Sequence, residues 1–138
     1  MRAVIQVLLL LTLSSGVIFA NNFKDERIIS LKKDEQKKIL VEYGSYKKLF
    51  KFRWTLYKNG GLVIFRSYDR IVAQNVLHLR HQNQSFRLEL KARGDDAYNV
   101  PYLLVKFKEF DFEKHKAVFG LYLSDKFDQI TLKEIDEK

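Results

Sequence analysis

The chain has no cysteine. Disulfides, thiol nucleophiles and cysteine-ligated metals are therefore excluded, as is lipid anchoring at an N-terminal cysteine. Proline occurs once, at Pro101, and glycine only six times. Gly16 lies in the N-terminal apolar stretch, and Gly60 and Gly61 sit side by side in a turn sequence. No phosphate-cradling loop, nucleophile elbow or zinc-protease helix motif can be assembled from what is left. Histidine is limited to His78, His81 and His115. Beyond the first twenty residues no apolar run is long enough to cross a bilayer as a helix. Internal repeats and low-complexity segments are missing too.

What is present begins with a leader. Arg2 precedes an almost wholly apolar run, Ala3 to Leu13, which Ser14, Ser15 and Gly16 break; Ala20 is a small residue before a cut. This is the pattern of a secretory signal peptide, residues 1–20, with cleavage after Ala20. An uncleaved N-terminal anchor is the alternative. Export without cysteine points to a bacterial periplasm. Residues 21–138 then form a single domain, with 21–25 a flexible lead-in and 134–138 a charged tail. Small exported domains commonly lean on disulfides. This one must be held by packing, and eleven Phe, seven Tyr and one Trp supply the area.

Twenty-five Lys and Arg face 17 acids, a net charge of +8. That balance suits anionic partners. It also lies within the ordinary range for keeping a small domain soluble.

The strongest local signal is Lys47 to Ile71. Phe50, Phe52, Trp54 and Leu56 are spaced two apart, the period of a half-buried strand. Asn59-Gly60-Gly61 follows, and either Asn-Gly or Gly-Gly can form the two-residue hairpin turn. Both turns give one parity. Phe50, Phe52, Trp54 and Leu56 then share a core face with Val63, Phe65, Ser67 and Asp69. Lys51, Arg53, Tyr57, Arg66, Tyr68 and Arg70 share the opposite face, a basic-aromatic surface for an anionic ligand or acidic partner.

Elsewhere strands are expected at Arg27 to Leu31, Ile39 to Tyr43, Ile71 to Leu79 (with a bend near Gln74-Asn75), Ser85 to Arg93, Tyr102 to Phe112, Ala117 to Leu123 and Gln129 to Lys133. A helix from Glu35 to Tyr43, capped by Asp34 and stopped at Gly44, competes with the second of these; strands are preferred because the run is short. Ala117 to Leu123 is apolar on both parities and reads as a central strand covered on both sides. No helical segment separates the strands, so antiparallel pairing is expected in place of parallel βαβ units. The fold class is all-β: a single-domain antiparallel β-sandwich or small β-barrel of meander type, preceded by a signal peptide.

Catalytic candidates are sparse. Asp111, Glu113 and His115 fall on one strand parity and could form a carboxylate–imidazole cluster; the structural reading is a strand end entering a charged turn. His78 and His81 could share a metal only if a turn intervened. Asp95-Asp96 offers too few oxygen ligands for calcium. Arg93-Gly94-Asp95 spells an adhesion-type tripeptide but is an ordinary turn sequence. No catalytic residue, metal ligand or cofactor is therefore assigned. The expected function is a non-enzymatic binding or assembly module of the cell envelope, with an acidic envelope protein or anionic envelope component as partner and no nucleic acid. The alternative is a small hydrolase-like periplasmic enzyme with a diffuse site near Asp111, Glu113 and His115.

Overall fold

The computed structural model describes residues 23–94 and 99–136. The signal-peptide assignment at 1–20 and the Asp95-Asp96 loop lie outside the described residues. Nine strands follow one another: β1 (Asp25–Lys32), β2 (Lys37–Tyr43), β3 (Tyr46–Lys58), β4 (Gly61–Tyr68), β5 (Ile71–His78), β6 (Ser85–Glu89), β7 (Tyr102–Asp111), β8 (Lys116–Ser124) and β9 (Thr131–Ile135). All ladders among them are antiparallel. β1 and β9 reach into the two stretches read as lead-in and tail. The segment that might have been a helix forms β2, because pairing with β3 on one side and β9 on the other places Ile39, Val41 and Tyr43 inward.

The strands form two sheets, ordered β1-β8-β7-β6 and β5-β4-β3-β2-β9, in a sandwich-like arrangement. No ladder joins one sheet to the other among the described residues, as closure into a barrel would require. Alternation decides which side of each strand faces inward. Phe50, Phe52, Ile39, Leu62 and Ile64 come from one sheet; Leu103, Val105, Phe107, Phe119 and Leu121 come from the other, and all are buried. Aromatic edges meet across the gap, Phe52 against Phe119 at 5.4 Å and Trp54 against Phe110 at 5.5 Å between ring centroids. Burying a Phe-sized side chain contributes roughly 1.5–3 kcal/mol, so this layer can hold the fold without disulfides. No charged or polar residue is buried as a whole among the described residues; the Asp125 side chain, 1% exposed, is paired with Lys24 and accepts the Ile130 N–H.

Polar seams close the two sides. On one, Arg27 of β1 reaches Asp25 and Glu134, and Lys37 meets Glu134 at 3.0 Å. Lys24 joins Asp125, Asp128 and the Ile130 carbonyl at the end of that side. On the other side the Tyr68 hydroxyl donates to the Leu90 carbonyl at 2.6 Å. β8 is central in its sheet, as its apolar sequence suggests, but no third layer among the described residues covers it. Its outer side is shielded by its own Tyr122, whose ring occupies the space over Gly120 that a Cβ would need, and by Phe23 at 5.2 Å.

The hairpin differs from its sequence reading in one decisive way. Its turn is Asn59-Gly60, with φ of 54° and 77°, the left-handed pair a two-residue hairpin turn requires. However, β3 bulges at Thr55: Leu56 pairs with Val63 while Trp54 pairs with Ile64. The extra residue reverses the parity of the first arm relative to the second. Phe50, Phe52 and Trp54 therefore share the inner face with Ile64, Arg66 and Tyr68, and Leu56, Val63 and Phe65 face outward. The bend expected near Gln74-Asn75 does not form; β5 stays in register with β4 from Ile71 to His78.

Candidate binding surface

The bulge splits the six residues expected to form one basic-aromatic face. Lys51 and Arg53 lie on the outer face of the five-stranded sheet. Tyr57, Arg66 and Tyr68 lie on its inner face. Arg70 sits in the β4–β5 turn at φ 67°. A single surface built from all six is thus ruled out by register. Tyr57 stacks on Phe110 at 4.2 Å. Tyr68 is buried, and burial raises the pKa of its phenol. Arg66 lies at the rim between the sheets, its Nε donating to Asn75 Oδ1 at 2.7 Å and its guanidinium resting 4.6 Å from the centre of the Phe86 ring. Desolvation lowers the Arg66 pKa from its ordinary value, which leaves it a cation at neutral pH.

What the structure does gather is a cation-rich, partly apolar outer sheet face. Lys38 and Lys51 are direct cross-strand partners, and Arg53 follows two residues along β3. Neither Lys51 nor Arg53 forms an ion pair with a described residue. Glu42, on the same face, bonds instead to Lys133 at 3.4 Å. Beside the cations a shallow depression of about 340 Å³ is lined by Gln36, Lys51, Arg53, Phe65, Arg66, Ser67 and Val72. Val72 is 73% and Phe65 37% exposed, so apolar surface borders the charge. Sequence reasoning missed Phe65, Val72 and Gln36. Both parities of Leu62-Val63-Ile64-Phe65 are apolar, so the pattern alone cannot say which pair faces out.

The other sheet carries cation–ring contacts on its outer face. The Arg87 guanidinium lies 3.7 Å from the centre of the Tyr102 ring, and Lys108 donates to the Tyr122 hydroxyl at 3.2 Å. These cations are already engaged. They come from β6 and β7, so no single stretch of sequence announces the cluster.

The proposed carboxylate–imidazole group does not assemble along a strand. β7 ends at Asp111 and the chain turns before β8 begins at Lys116. Asp111 Oδ1 accepts the backbone N–H groups of Glu113 and Lys114, both at 3.1 Å, so this carboxylate shapes the turn. His115, at φ 52°, instead borders a separate apolar depression of about 320 Å³ with Lys33, Trp54, Leu56, Tyr57, Phe110 and Phe112. A turn does bring the His78 and His81 rings to 5.8 Å, and His78 Nδ1 lies 3.0 Å from the Asn83 amide nitrogen. No group of three metal-ligating side chains occurs among the described residues. Arg93 is held by Glu89, with Nη2 to Oε1 at 2.6 Å.

Comparison with protein-family models, curated proteins and solved structures gave no match.

Proposed function

We propose that this is an exported, periplasmic, non-enzymatic binding module of the bacterial cell envelope, which contacts an acidic partner protein or another anionic envelope component through the outer face of its five-stranded sheet. The carrying observation is Lys51 and Arg53, two residues apart on the outward parity of β3, next to exposed Phe65 and Val72. Arginine adds the capacity to fork onto carboxylate or phosphate. The apolar border supplies area that a purely ionic contact lacks.

The test is a charge reversal of the two outward cations, Lys51→Glu with Arg53→Glu. Both side chains are on the outer face, so the folded state should survive, which circular dichroism checks. Binding to anionic vesicles, to a polyanion or to a partner recovered from envelope extract should fall, and the difference should shrink as salt is raised. Loss toward the recovered protein alone identifies an acidic partner; loss toward vesicles identifies lipid. Unchanged binding to every probe in a folded variant would remove this face from consideration. Purified material should begin at Asn21.

A further inference from the structure

Among the described residues the two sheets have four edges, and three of them are charged. β1 carries Asp25, Glu26, Arg27 and Lys32; β6 carries Arg87 and Glu89; β9 carries Lys133 and Glu134. The fourth, β5, runs Ile71-Val72-Ala73-Gln74-Asn75-Val76-Leu77-His78 with no lysine, arginine or carboxylate. It has no proline and no bulge against β4. Ile71 is 72% and Val72 73% exposed. Charge, proline and bulges are the devices that keep an edge from pairing. In a chain of net charge +8, their combined absence from one edge is a specific feature.

Backbone geometry defines how much of that edge is open. β4 and β5 are joined by the two-residue turn Asp69-Arg70, so the flanking pair Tyr68–Ile71 exchanges ladder bonds. Alternation then aims the N–H and C=O of Ala73 and Asn75 at β4 as well, and those of Val72, Gln74, Val76 and His78 away from it. The 79–84 connection confirms the direction, because the Asn83 side chain donates to the Val76 carbonyl at 3.2 Å and the His78 N–H donates to the Asn83 carbonyl at 3.2 Å. Asn83 thus clasps the end of the edge. The turn closes its beginning. Between them Val72 and Gln74 present four outward backbone groups, centred on Ala73.

We propose that β5 pairs antiparallel with β5 of a second copy of this chain, about a two-fold axis through Ala73. In that register Val72 lies opposite Gln74 of the second copy, and Gln74 opposite its Val72. Each pair exchanges two N–H···O=C bonds, so all four open groups find partners. The axis passes the smallest side chain of the window. Self-pairing sets the strand against its own sequence, so a run of cations along it, in a chain this basic, would meet cations. An uncharged strand fits that occupant, whereas an acidic partner would call for cations along the edge. The two five-stranded sheets become one continuous sheet of both copies, and their outer faces lie on the same side. The pairing does not depend on the anion-binding reading.

Sedimentation velocity over a concentration series tests it, on the chain expressed from its full coding sequence and purified in the form the cell leaves it. The unaltered protein should sediment as a dimer. Val72→Lys with Gln74→Lys places lysine opposite lysine twice and should weaken the dimer at least about tenfold. Val72→Lys with Gln74→Glu places lysine opposite glutamate and should restore it. All these side chains are exposed, and circular dichroism verifies the fold of each variant. A monomer at all concentrations overturns the proposal. So does a dimer that persists in the double-lysine variant, which would locate the interface elsewhere. A monomeric lysine–glutamate variant would overturn the register.

Discussion

Trp54 joins the two sheets, and its replacement tests whether that link carries stability. Its side chain is 4% exposed. The indole N–H donates to the Leu31 carbonyl at 2.7 Å, from β3 in one sheet to β1 at the edge of the other. The ring also packs edge-on against Phe110. Trp54→Phe keeps an aromatic ring but removes the donor, leaving a carbonyl on a buried residue without its partner. That costs about 1–3 kcal/mol, and the smaller ring forfeits some contact besides. We expect about 2 kcal/mol in all, with Trp54→Ala at about 3–5 kcal/mol. For a domain of this size 2 kcal/mol corresponds to a fall in Tm of about 8 °C. Urea unfolding followed by circular dichroism measures it, since the only tryptophan is the residue being changed. A Trp54→Phe protein within about 0.5 kcal/mol of the original would refute the argument. It would mean that the Leu31 carbonyl finds water or another donor, and that the sheets adhere through apolar packing alone.

Two further outcomes are expected. Gly60→Ala should destabilise by about 1–2 kcal/mol, because φ is 77° there although nothing within 4 Å would touch the new Cβ; Gly94→Ala, also unobstructed and without a positive φ, should be near neutral in the same melt. Glu134→Gln should cost at most about 1 kcal/mol at pH 7, since the Lys37 hydrogen bond and the nearby Arg27 hold the Glu134 carboxyl below its ordinary range. A depressed folded pKa contributes stability above the unfolded value and loses it as pH falls through the folded one. The gap between variant and parent should therefore close below about pH 4, and a gap that persists at pH 3 would point to packing instead.

The strand inventory was legible because period-two patterning and turn chemistry act locally. Phe50-Phe52-Trp54 and Phe86-Leu88-Leu90 lie inward as their spacing implies. The Asn59-Gly60 turn also forms as the dipeptide demands. The composition of the candidate site was not legible, and the reason is one residue. Thr55 is an unremarkable strand former, and Leu56 continues the apolar alternation of β3, so nothing local marks a bulge there. Its cause lies in tertiary packing: Tyr57 is brought inward onto Phe110, and Leu56 is left 48% exposed. That single step moved Arg66 and Tyr68 off the face assigned to them. Lys51 and Arg53 kept their outward placement because they lie before the bulge, on the arm where Phe50 and Phe52 fix the parity. At Asp111 the reading of a strand end entering a charged turn holds, and the carboxylate–imidazole alternative does not assemble; a side chain that caps its own turn looks the same in sequence as one that extends a strand.

The pairing of β1 has a temporal meaning. Its one ladder partner is β8, with Asp25 opposite Leu123 and Lys32 opposite Lys116. β2 to β5 can zip as each hairpin appears, but β1 is made first and must wait for nearly the whole chain. At a synthesis rate of about 5–20 residues per second, that wait is of the order of ten seconds. During it the backbone of β1 has no ladder partner, although the sheet that Leu31 packs against can already be forming. Completion of the fold is thereby coupled to the appearance of the last third of the described chain, which carries β8.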